Sequence, residues 1–343
     1  MSDDAQVLKP VLARLAAGER LSVEDAQAAF DGIMTGHATA AQIGAFLMAL
    51  HVRGETVDEI VGGALALRAH MERIEAPQGA LDTCGTGGDG KGTFNISTAA
   101  ALVAAGAGAT VAKHGNRAQS SKSGSADVLQ AVGVNLDAPR ALVERALKEA
   151  HIAFLFAPRH HQAMRYVAEA RRELGFRTIF NLLGPLANPA GATHQLIGVF
   201  DEAWLEPMAE VLKTLGSTRV WVVHGWDGLD ELTTTGPSEV AALEDGKIRR
   251  FALTPEDVGL ARAKPAELLG GSAQENARRL SALLEGERGP IRDVVVLNAA
   301  AALVVAGLAQ DLAEGVKRAA QALDEGKAKA ALDALVRISN GRV

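Results

Sequence analysis

Cysteine and tyrosine are nearly absent from this sequence, since each occurs once, and all aromatic residues together make up 4% of its 343 residues. Because Cys84 is the single cysteine, no intrachain disulfide can form. The chain also lacks an excess of positive charge, and its net charge of −6 argues against a surface for nucleic acid or anionic membranes. The longest apolar run, Ala299–Ala309, falls short of the roughly 20 residues that a transmembrane helix requires.

The N-terminus lacks the basic and apolar regions of a signal peptide, since it begins Met1-Ser2-Asp3-Asp4, and we therefore predict a cytoplasmic protein. Hydrophobic residues make up 48% of the chain, which is enough for two domains or for one large domain with an accessory lobe. Periodicity predicts that the residues up to about 72 are all helical, with helix starts at Ser22, Thr39 and Thr56.

After Leu81 the pattern changes to short strand-like runs that alternate with helical stretches. The predicted strands are 109–112, 152–156, 195–200 and 219–224, the helices between them are 127–132, 139–150 and 206–215, and 238–242 with 247–252 form an antiparallel hairpin. The tail from Asp293 is again helical. The predicted fold class is therefore α/β, with a small all-helical lobe and a larger α/β lobe around a mostly parallel central sheet.

A glycine-rich stretch from Gly85 to Thr98 leads into an apolar helix and predicts a phosphate site. Glycines allow a ligand to approach the backbone closely, and free N–H groups at a helix N-terminus favour an anion. A mobile linker is the competing interpretation.

Two familiar phosphate-binding patterns fit this stretch incompletely. The spacing of Gly85, Gly87 and Gly90 matches the dinucleotide pattern, but 77–81 does not resemble a buried strand, and Thr110 stands where an acid is needed. The P-loop pattern fails because Gly92 occupies the position of the Ser or Thr that binds Mg²⁺. We therefore predict a phosphate loop of another kind.

Two further polar stretches follow predicted strands. Lys113–Ser121 follows 109–112 and combines cations, an imidazole, an amide and hydroxyls, while Asp230 and Glu231 come shortly after 219–224. Ligands of parallel sheets bind at the carboxyl ends of strands, and adjacent carboxylates suit Mg²⁺. A solvated turn and an exposed acidic turn are the respective alternatives.

A fourth stretch, 171–189, begins with arginines and ends in a proline-containing loop. An arginine such as Arg171 can hold a carboxylate through two parallel hydrogen bonds. A surface helix followed by a loop is an equally good interpretation of the spacing alone.

Taken together, these stretches resemble the anthranilate phosphoribosyltransferase family. The matching segments, in the order of the family, are Gly85-Thr86-Gly87-Gly88-Asp89, Asn95-Ile96-Ser97-Thr98, Lys113–Arg117, Lys122–Asp127, Arg177–Pro189 and Asp230-Glu231, within a similarity that runs from about residue 5 to 335. Each motif alone is modest, whereas the whole set is specific.

The resemblance implies a helical lobe of residues 1–72, joined by helices from about 166–190, and an α/β lobe of residues 73–343 that binds phosphoribosyl pyrophosphate (PRPP). It implies a homodimer with two Mg²⁺ ions per active site, which transfers the phosphoribosyl group of PRPP to the nitrogen of anthranilate in tryptophan biosynthesis. A pyrimidine nucleoside phosphorylase, which shares the fold, and a non-catalytic nucleotide-binding module are the alternatives.

The resemblance also implies site residues. PRPP would contact Gly85, Gly88, Asp89, Thr93, Asn95, Ile96, Ser97, Thr98, Lys113, His114, Gly115, Asn116, Arg117, Ala118, Gln119, Ser120, Ser121 and Ser125. Anthranilate would contact Gly85, Asn116 and Arg171, the metal ligands would be Ser97, Asp230 and Glu231, and Lys113, His114 and Arg171 would be catalytic. The neighbouring residues His160 and His161 receive no role.

Overall fold

The protein is described by a computed structural model that covers residues 8–118 and 122–342. Its N-terminal part consists of helices α1 (Lys9–Ala16), α2 (Val23–Met34), α3 (Ala40–Arg53) and α4 (Val57–Ala69). The three predicted helix starts are confirmed, because Ser22, Thr39 and Thr56 each accept a hydrogen bond from a backbone N–H in the first turn. These contacts are local, so a short sequence window is enough to predict them.

The remainder is built on one seven-stranded sheet with the strand order β3-β2-β1-β4-β5-β6-β7. The strands are β1 (Leu81–Gly85), β2 (Val111–Gly115), β3 (Ile152–Phe156), β4 (His194–Gly198), β5 (Arg219–Gly225), β6 (Ser238–Glu244) and β7 (Lys247–Leu253). Strands β1 to β5 pair in parallel, and the predicted hairpin β6–β7 adds antiparallel strands at one edge. This arrangement confirms the predicted fold class.

Further helices lie between and after the strands of this sheet. They are α5 (Ile96–Gly106), α6 (Ser125–Ala131), α7 (Arg140–Glu149), α8 (Ala157–His160), α9 (Arg165–Leu174), α10 (Ile179–Leu183), α11 (Leu205–Thr214), α12 (Ala273–Leu284), α13 (Pro290–Val305), α14 (Leu312–Asp324) and α15 (Lys327–Ser339). No helix in the described ranges combines the length and the hydropathy needed to cross a membrane.

Successive residues of a strand contribute to different cores, because side chains alternate between the faces of a sheet. Leu196 and Val223 belong to the core that α5 and α13 form on one face. Ile197 and Val222 belong to a second core, which continues into the N-terminal helices. Helices α9 and α10 contact α3, and α10 also contacts α4, so this later segment packs on the N-terminal helices.

Two strand predictions need correction. The glycine-rich loop does follow a buried strand, β1, which begins at Leu81. The absence of a preceding strand was therefore a wrong reason to exclude a dinucleotide site. Only the missing acid still argues against such a site. The predicted strand 109–112 is β2 at Val111–Gly115, and Lys113 and His114 therefore lie inside the strand. Both errors arise because polar residues occupy buried strand positions.

Candidate functional site

The glycine-rich loop leaves the sheet at the carboxyl end of β1 and contacts the acidic turn after β5. The Gly87 amide donates a hydrogen bond of 2.7 Å to Asp230 Oδ2. A Cβ atom at Gly85 would lie 2.4 Å from the same oxygen, which is closer than non-bonded atoms approach. Gly85 therefore permits the contact between the two loops, and a larger residue would displace the Asp230 carboxylate.

Lys113 is a buried cation that links β2 to its neighbours. Its Nζ donates hydrogen bonds to the Thr83 carbonyl at 2.5 Å and to Ser97 Oγ at 3.3 Å. Burial lowers the pKa of Lys113, while the nearby Asp82 carboxylate raises it. The side chain thus reaches the first turn of α5, where the sequence predicts phosphate binding.

Asp82, which sequence reasoning missed, is a fully buried carboxylate on β1. Its oxygens accept hydrogen bonds from the His114 amide at 3.0 Å and from Asn188 Nδ2 at 2.7 Å. The Asn188 side-chain amide also donates to the Ala112 carbonyl at 2.8 Å. Asn188, near the end of the stretch 171–189, therefore connects β1 and β2. Burial raises the pKa of Asp82, and these donors together with Lys113 oppose that shift.

His114 and His161 form a buried imidazole pair. Their Nε2 atoms lie 3.2 Å apart, so one ring donates a hydrogen bond to the other. Burial, reinforced by His161, lowers the pKa of His114 well below its usual range, and burial lowers the pKa of His161 to about 4. Both rings are therefore neutral near pH 7. His161 had no predicted role, and the only signal in the sequence was an adjacent histidine pair.

The loop after β2 is held by the start of α6. Ser125 Oγ donates to the Asn116 carbonyl at 3.2 Å, and Asp127 accepts hydrogen bonds from the Ala118 amide at 3.0 Å and from the Arg117 guanidinium at 2.9 Å. The arginine is thus already engaged by a carboxylate. The predicted PRPP contacts Gln119, Ser120 and Ser121 lie outside the described residues.

Asp230 and Glu231 are half-buried at the carboxyl end of the sheet. Glu231 Oε1 accepts a hydrogen bond of 3.1 Å from the Ser97 amide. Desolvation, followed by the charge of Asp89, raises the pKa of Asp230 to about 7. Desolvation, followed by the charge of Asp230, raises the pKa of Glu231 to about 8. Crowded carboxylates of this kind are stabilised by a bound cation.

The donor set fits Mg²⁺ better than a metal held by protein ligands alone. Among the described residues, no group of three or more His, Cys, Asp or Glu side chains is arranged to bind a metal ion. Mg²⁺ commonly takes one or two carboxylates and completes its shell with water and substrate phosphates. Asp230 and Glu231 offer two carboxylates, and the Ser97 hydroxyl a further oxygen, beside the predicted phosphate loop.

Polar contacts surround the start of α5. Asn95 makes no capping hydrogen bond with its side chain; it donates to the Ser123 carbonyl at 3.1 Å and accepts from Asn276 Nδ2 at 2.8 Å. Ile96 is buried in the core, so only its backbone can face a ligand. Thr98 Oγ1 is buried and has no hydrogen-bond partner within the described ranges.

Three other predicted residues, Asp89, Thr93 and Arg171, make contacts of their own. Asp89 accepts a hydrogen bond from the Lys91 amide at 3.0 Å, and Thr93 forms an isolated bridge with Leu269. Arg171 on α9 is half-buried, and its guanidinium carbon lies 5.5 Å from the centroid of the Phe180 ring. Within the part of the chain that is described, its guanidinium makes no hydrogen bond or ion pair, so it is available to an anion.

Both parts of the chain match family models of known proteins. Residues 77–329 match the family model for the a/b domain of the glycosyl transferase family, and residues 9–71 match the model for its helical bundle domain. The anthranilate phosphoribosyltransferase of Rhodospirillum rubrum is 61% identical over 334 residues, which cover 97% of this chain and 96% of that protein. The chain belongs to the anthranilate phosphoribosyltransferase family.

Solved structures of this family share the whole fold. The enzyme from Thermus thermophilus aligns with a TM-score of 0.91 at 46% identity, covering 96% of this chain and 99% of that one. The Saccharomyces cerevisiae enzyme in complex with PRPP and Mg aligns with a TM-score of 0.90 at 27% identity, covering 98% and 99%. These matches confirm the family resemblance and favour it over a pyrimidine nucleoside phosphorylase.

Proposed function

We propose that this chain transfers the 5-phosphoribosyl group of PRPP to the amino nitrogen of anthranilate and releases pyrophosphate, as one step of tryptophan biosynthesis. The observation that carries this proposal is the contact chain Lys113–Ser97–Glu231, which joins strand β2, the first turn of α5 and the acidic turn after β5. The names of its relatives support the same reaction, since the yeast enzyme has been solved with PRPP and Mg and with 4-fluoroanthranilate.

The proposed PRPP site comprises both phosphate loops. Its residues are Gly85, Gly88, Asp89, Thr93, 95–98, 113–121 and Ser125. Backbone N–H groups of glycine-rich turns and a helix start suit the diphosphate and the ribose phosphate, and Lys113 adds a fixed positive charge. In a chain with a net charge of −6, such local features must hold the ligand.

Departure of pyrophosphate dominates the chemistry. Breaking the C1–O bond places negative charge on the leaving group and makes the ribose oxocarbenium-like, so prearranged donors that face the leaving oxygens lower the barrier. Lys113 is rigidly held by Thr83 and Ser97 for this task. Two Mg²⁺ ions, held by Asp230, Glu231 and Ser97, would supply further neutralisation of the diphosphate.

The acceptor is an arylamine, which is nucleophilic without a strong base. Arg171 would bind the anthranilate carboxylate through its guanidinium, which has no ion pair among the described residues, while Gly85 and Asn116 would complete the pocket. His114 is a neutral imidazole whose Nε2 is paired with His161, so it could orient anthranilate or accept its proton only through Nδ1, in the tautomer that donates from Nε2. Positioning of the two substrates would account for much of the remaining rate enhancement.

We also propose that the protein is a cytoplasmic homodimer. Each chain would comprise a helical lobe of residues 1–72, joined by helices from about 166–190, and an α/β lobe of residues 73–343. Support for the dimer comes from large apolar side chains exposed on adjacent helices of the smaller lobe. On α3, Met48 is 41% and Val52 is 76% exposed, and on α9, which contacts α3, Tyr166 is 39% exposed. Sedimentation of the protein and of Val52→Glu tests this assembly, because a buried charge at the interface would favour the monomer.

The activity is tested by following anthranilate fluorescence with PRPP and Mg²⁺ present. The proposal predicts loss of fluorescence with stoichiometric release of pyrophosphate, and no reaction when either PRPP or Mg²⁺ is omitted. Phosphorolysis of a pyrimidine nucleoside by inorganic phosphate, without consumption of anthranilate, would instead support the phosphorylase alternative. Binding of PRPP without any turnover would support a binding module.

A further inference from the structure

Arg177 connects the segment before α10 to the glycine-rich loop, although no role has been assigned to it. Its Nη2 donates a hydrogen bond of 2.5 Å to the Gly88 carbonyl. Its guanidinium carbon lies 4.4 Å from the centroid of the Phe200 ring, within the range of a cation–π contact. Arg177 is exposed, and its guanidinium makes two contacts, one of which is directly to the phosphate loop.

Phe200 is itself tied to the same loop. Its amide donates to Thr86 Oγ1 at 3.1 Å, and the Thr86 amide donates to the Gly198 carbonyl at 2.9 Å. Arg177, Gly88, Thr86 and Phe200 thus form a closed ring of contacts. A loop held by a closed ring has fewer accessible conformations than one held at a single point.

The opposite side of the loop is held by the acidic turn, through the bond from the Gly87 amide to Asp230. Gly87 and Gly88 have φ angles of +67° and +75°, which glycine adopts without strain. Because glycine can also adopt many other backbone conformations, these two residues would sample them if no contact held the loop. Ordering such a loop during binding costs conformational entropy, and contacts that order it beforehand reduce that cost.

The segment that carries Arg177 is held in place at the start of α10. The residue after Arg177 is Thr178, which is buried and whose amide donates to Asn181 Oδ1 at 3.1 Å, at the start of α10. Phe180 in that helix packs edge-to-face on Phe30 of α2, with ring centroids 5.6 Å apart. Arg177 therefore projects from a rigid part of the N-terminal core toward the loop of the α/β part.

We propose that Arg177 is a positioning residue that holds the glycine-rich loop in its PRPP-binding conformation and couples that loop to the helical core. The inference rests on the proposed function of the loop as a PRPP site. The contacts predict an effect on PRPP rather than on anthranilate, because the guanidinium is engaged by Gly88 and Phe200, in the loop itself and beside it.

The first test compares Arg177→Gln with Arg172→Gln as a matched control. Arg172 lies on the same segment and is likewise exposed, but its side chain pairs with the exposed Glu169 instead of the glycine-rich loop. We expect Arg177→Gln to raise the KM for PRPP about tenfold, the effect of losing one charge-assisted hydrogen bond, with little change in the KM for anthranilate or in Tm. Phe200→Leu should reproduce part of this increase, and Arg172→Gln should resemble the wild type.

The second test needs no catalysis. Hydrogen exchange of the peptide that contains residues 86–92, measured without substrates, should be faster in Arg177→Gln than in the wild type or in Arg172→Gln. Unchanged exchange, or equal increases in both KM values, would overturn the role of Arg177. If the wild type itself does not convert PRPP and anthranilate, the proposed function fails, whereas faster exchange in the variant would still show that Arg177 orders the loop.

Discussion

The Asp230 carboxylate accepts a hydrogen bond of 2.7 Å from the Gly87 amide, although 143 positions separate the two residues in the sequence. The next residue, Glu231, makes the equivalent contact with the Ser97 amide at 3.1 Å. The acidic pair therefore accepts hydrogen bonds from both ends of the glycine-rich segment. A cation at these carboxylates would lie beside any phosphate that the segment binds.

Removing both acidic charges should abolish most of the Mg²⁺-dependent turnover. We expect Asp230→Asn combined with Glu231→Gln to lower kcat/KM at limiting Mg²⁺ by roughly a hundredfold or more, because the leaving group would lose its main electrostatic stabilisation. Glu285→Gln with Glu287→Gln removes the same charge from an exposed turn and serves as the control. Activity close to that of the control at low Mg²⁺ would remove the metal assignment.

Arg171 should discriminate between the two substrates. We expect Arg171→Ala to raise the KM for anthranilate more than the KM for PRPP, since its guanidinium is half-buried beside Phe180 and is unpaired within the described residues. Steady-state kinetics with each substrate varied in turn measure both constants, with Arg172→Ala as the surface control. Equal changes in the two constants would contradict the placement of Arg171 at the anthranilate carboxylate.

Asn188 should be needed for stability as well as for the site. Asn188→Ala would leave one oxygen of the buried Asp82 carboxylate without its 2.7 Å donor, at a cost of about 1–3 kcal/mol in the free energy of unfolding. Urea unfolding measures this loss. Asn340→Ala, which removes only exposed hydrogen bonds, should change stability by less than about 0.5 kcal/mol. Identical results for the two variants would show that Asp82 finds another partner.

The buried histidine pair predicts a pH dependence of stability. His161 has a pKa of about 4 when folded, against an ordinary value of 6.5, so between these values the unfolded chain binds more protons. Stability from this group is therefore present above pH 6.5 and is lost as the pH falls toward 4. Relative to His161→Gln, the wild type should lose about 2 kcal/mol more between roughly pH 7 and pH 5. Equal losses would mean that His161 titrates normally in the folded protein.

Local patterns explain what could be predicted from the sequence. Helix starts at Ser22, Thr39 and Thr56 depend on side chains within three residues of the capped amide, and β3 at Ile152–Phe156 is a short apolar run. The approach of the separate site loops also followed from a general rule, because parallel strands present their carboxyl ends at one edge of the sheet.

Contacts between distant segments explain what was missed. Strand β1 contains Asp82, whose buried carboxylate accepts a hydrogen bond from Asn188, 106 residues away. The His114–His161 pair spans 47 residues, and the Asn95–Asn276 contact spans 181. In each case a polar side chain looks exposed in a sequence window, and only the tertiary fold supplies its partner.

A crystal structure of this protein with PRPP and Mg²⁺ tests most directly whether the carboxyl ends of β1, β2 and β5, together with the start of α5, form one diphosphate site. We expect the diphosphate to contact Ser97 and Lys113, with metal density at Glu231. Diphosphate density elsewhere, with Ser97, Lys113 and Glu231 all free of ligand and metal, would contradict it.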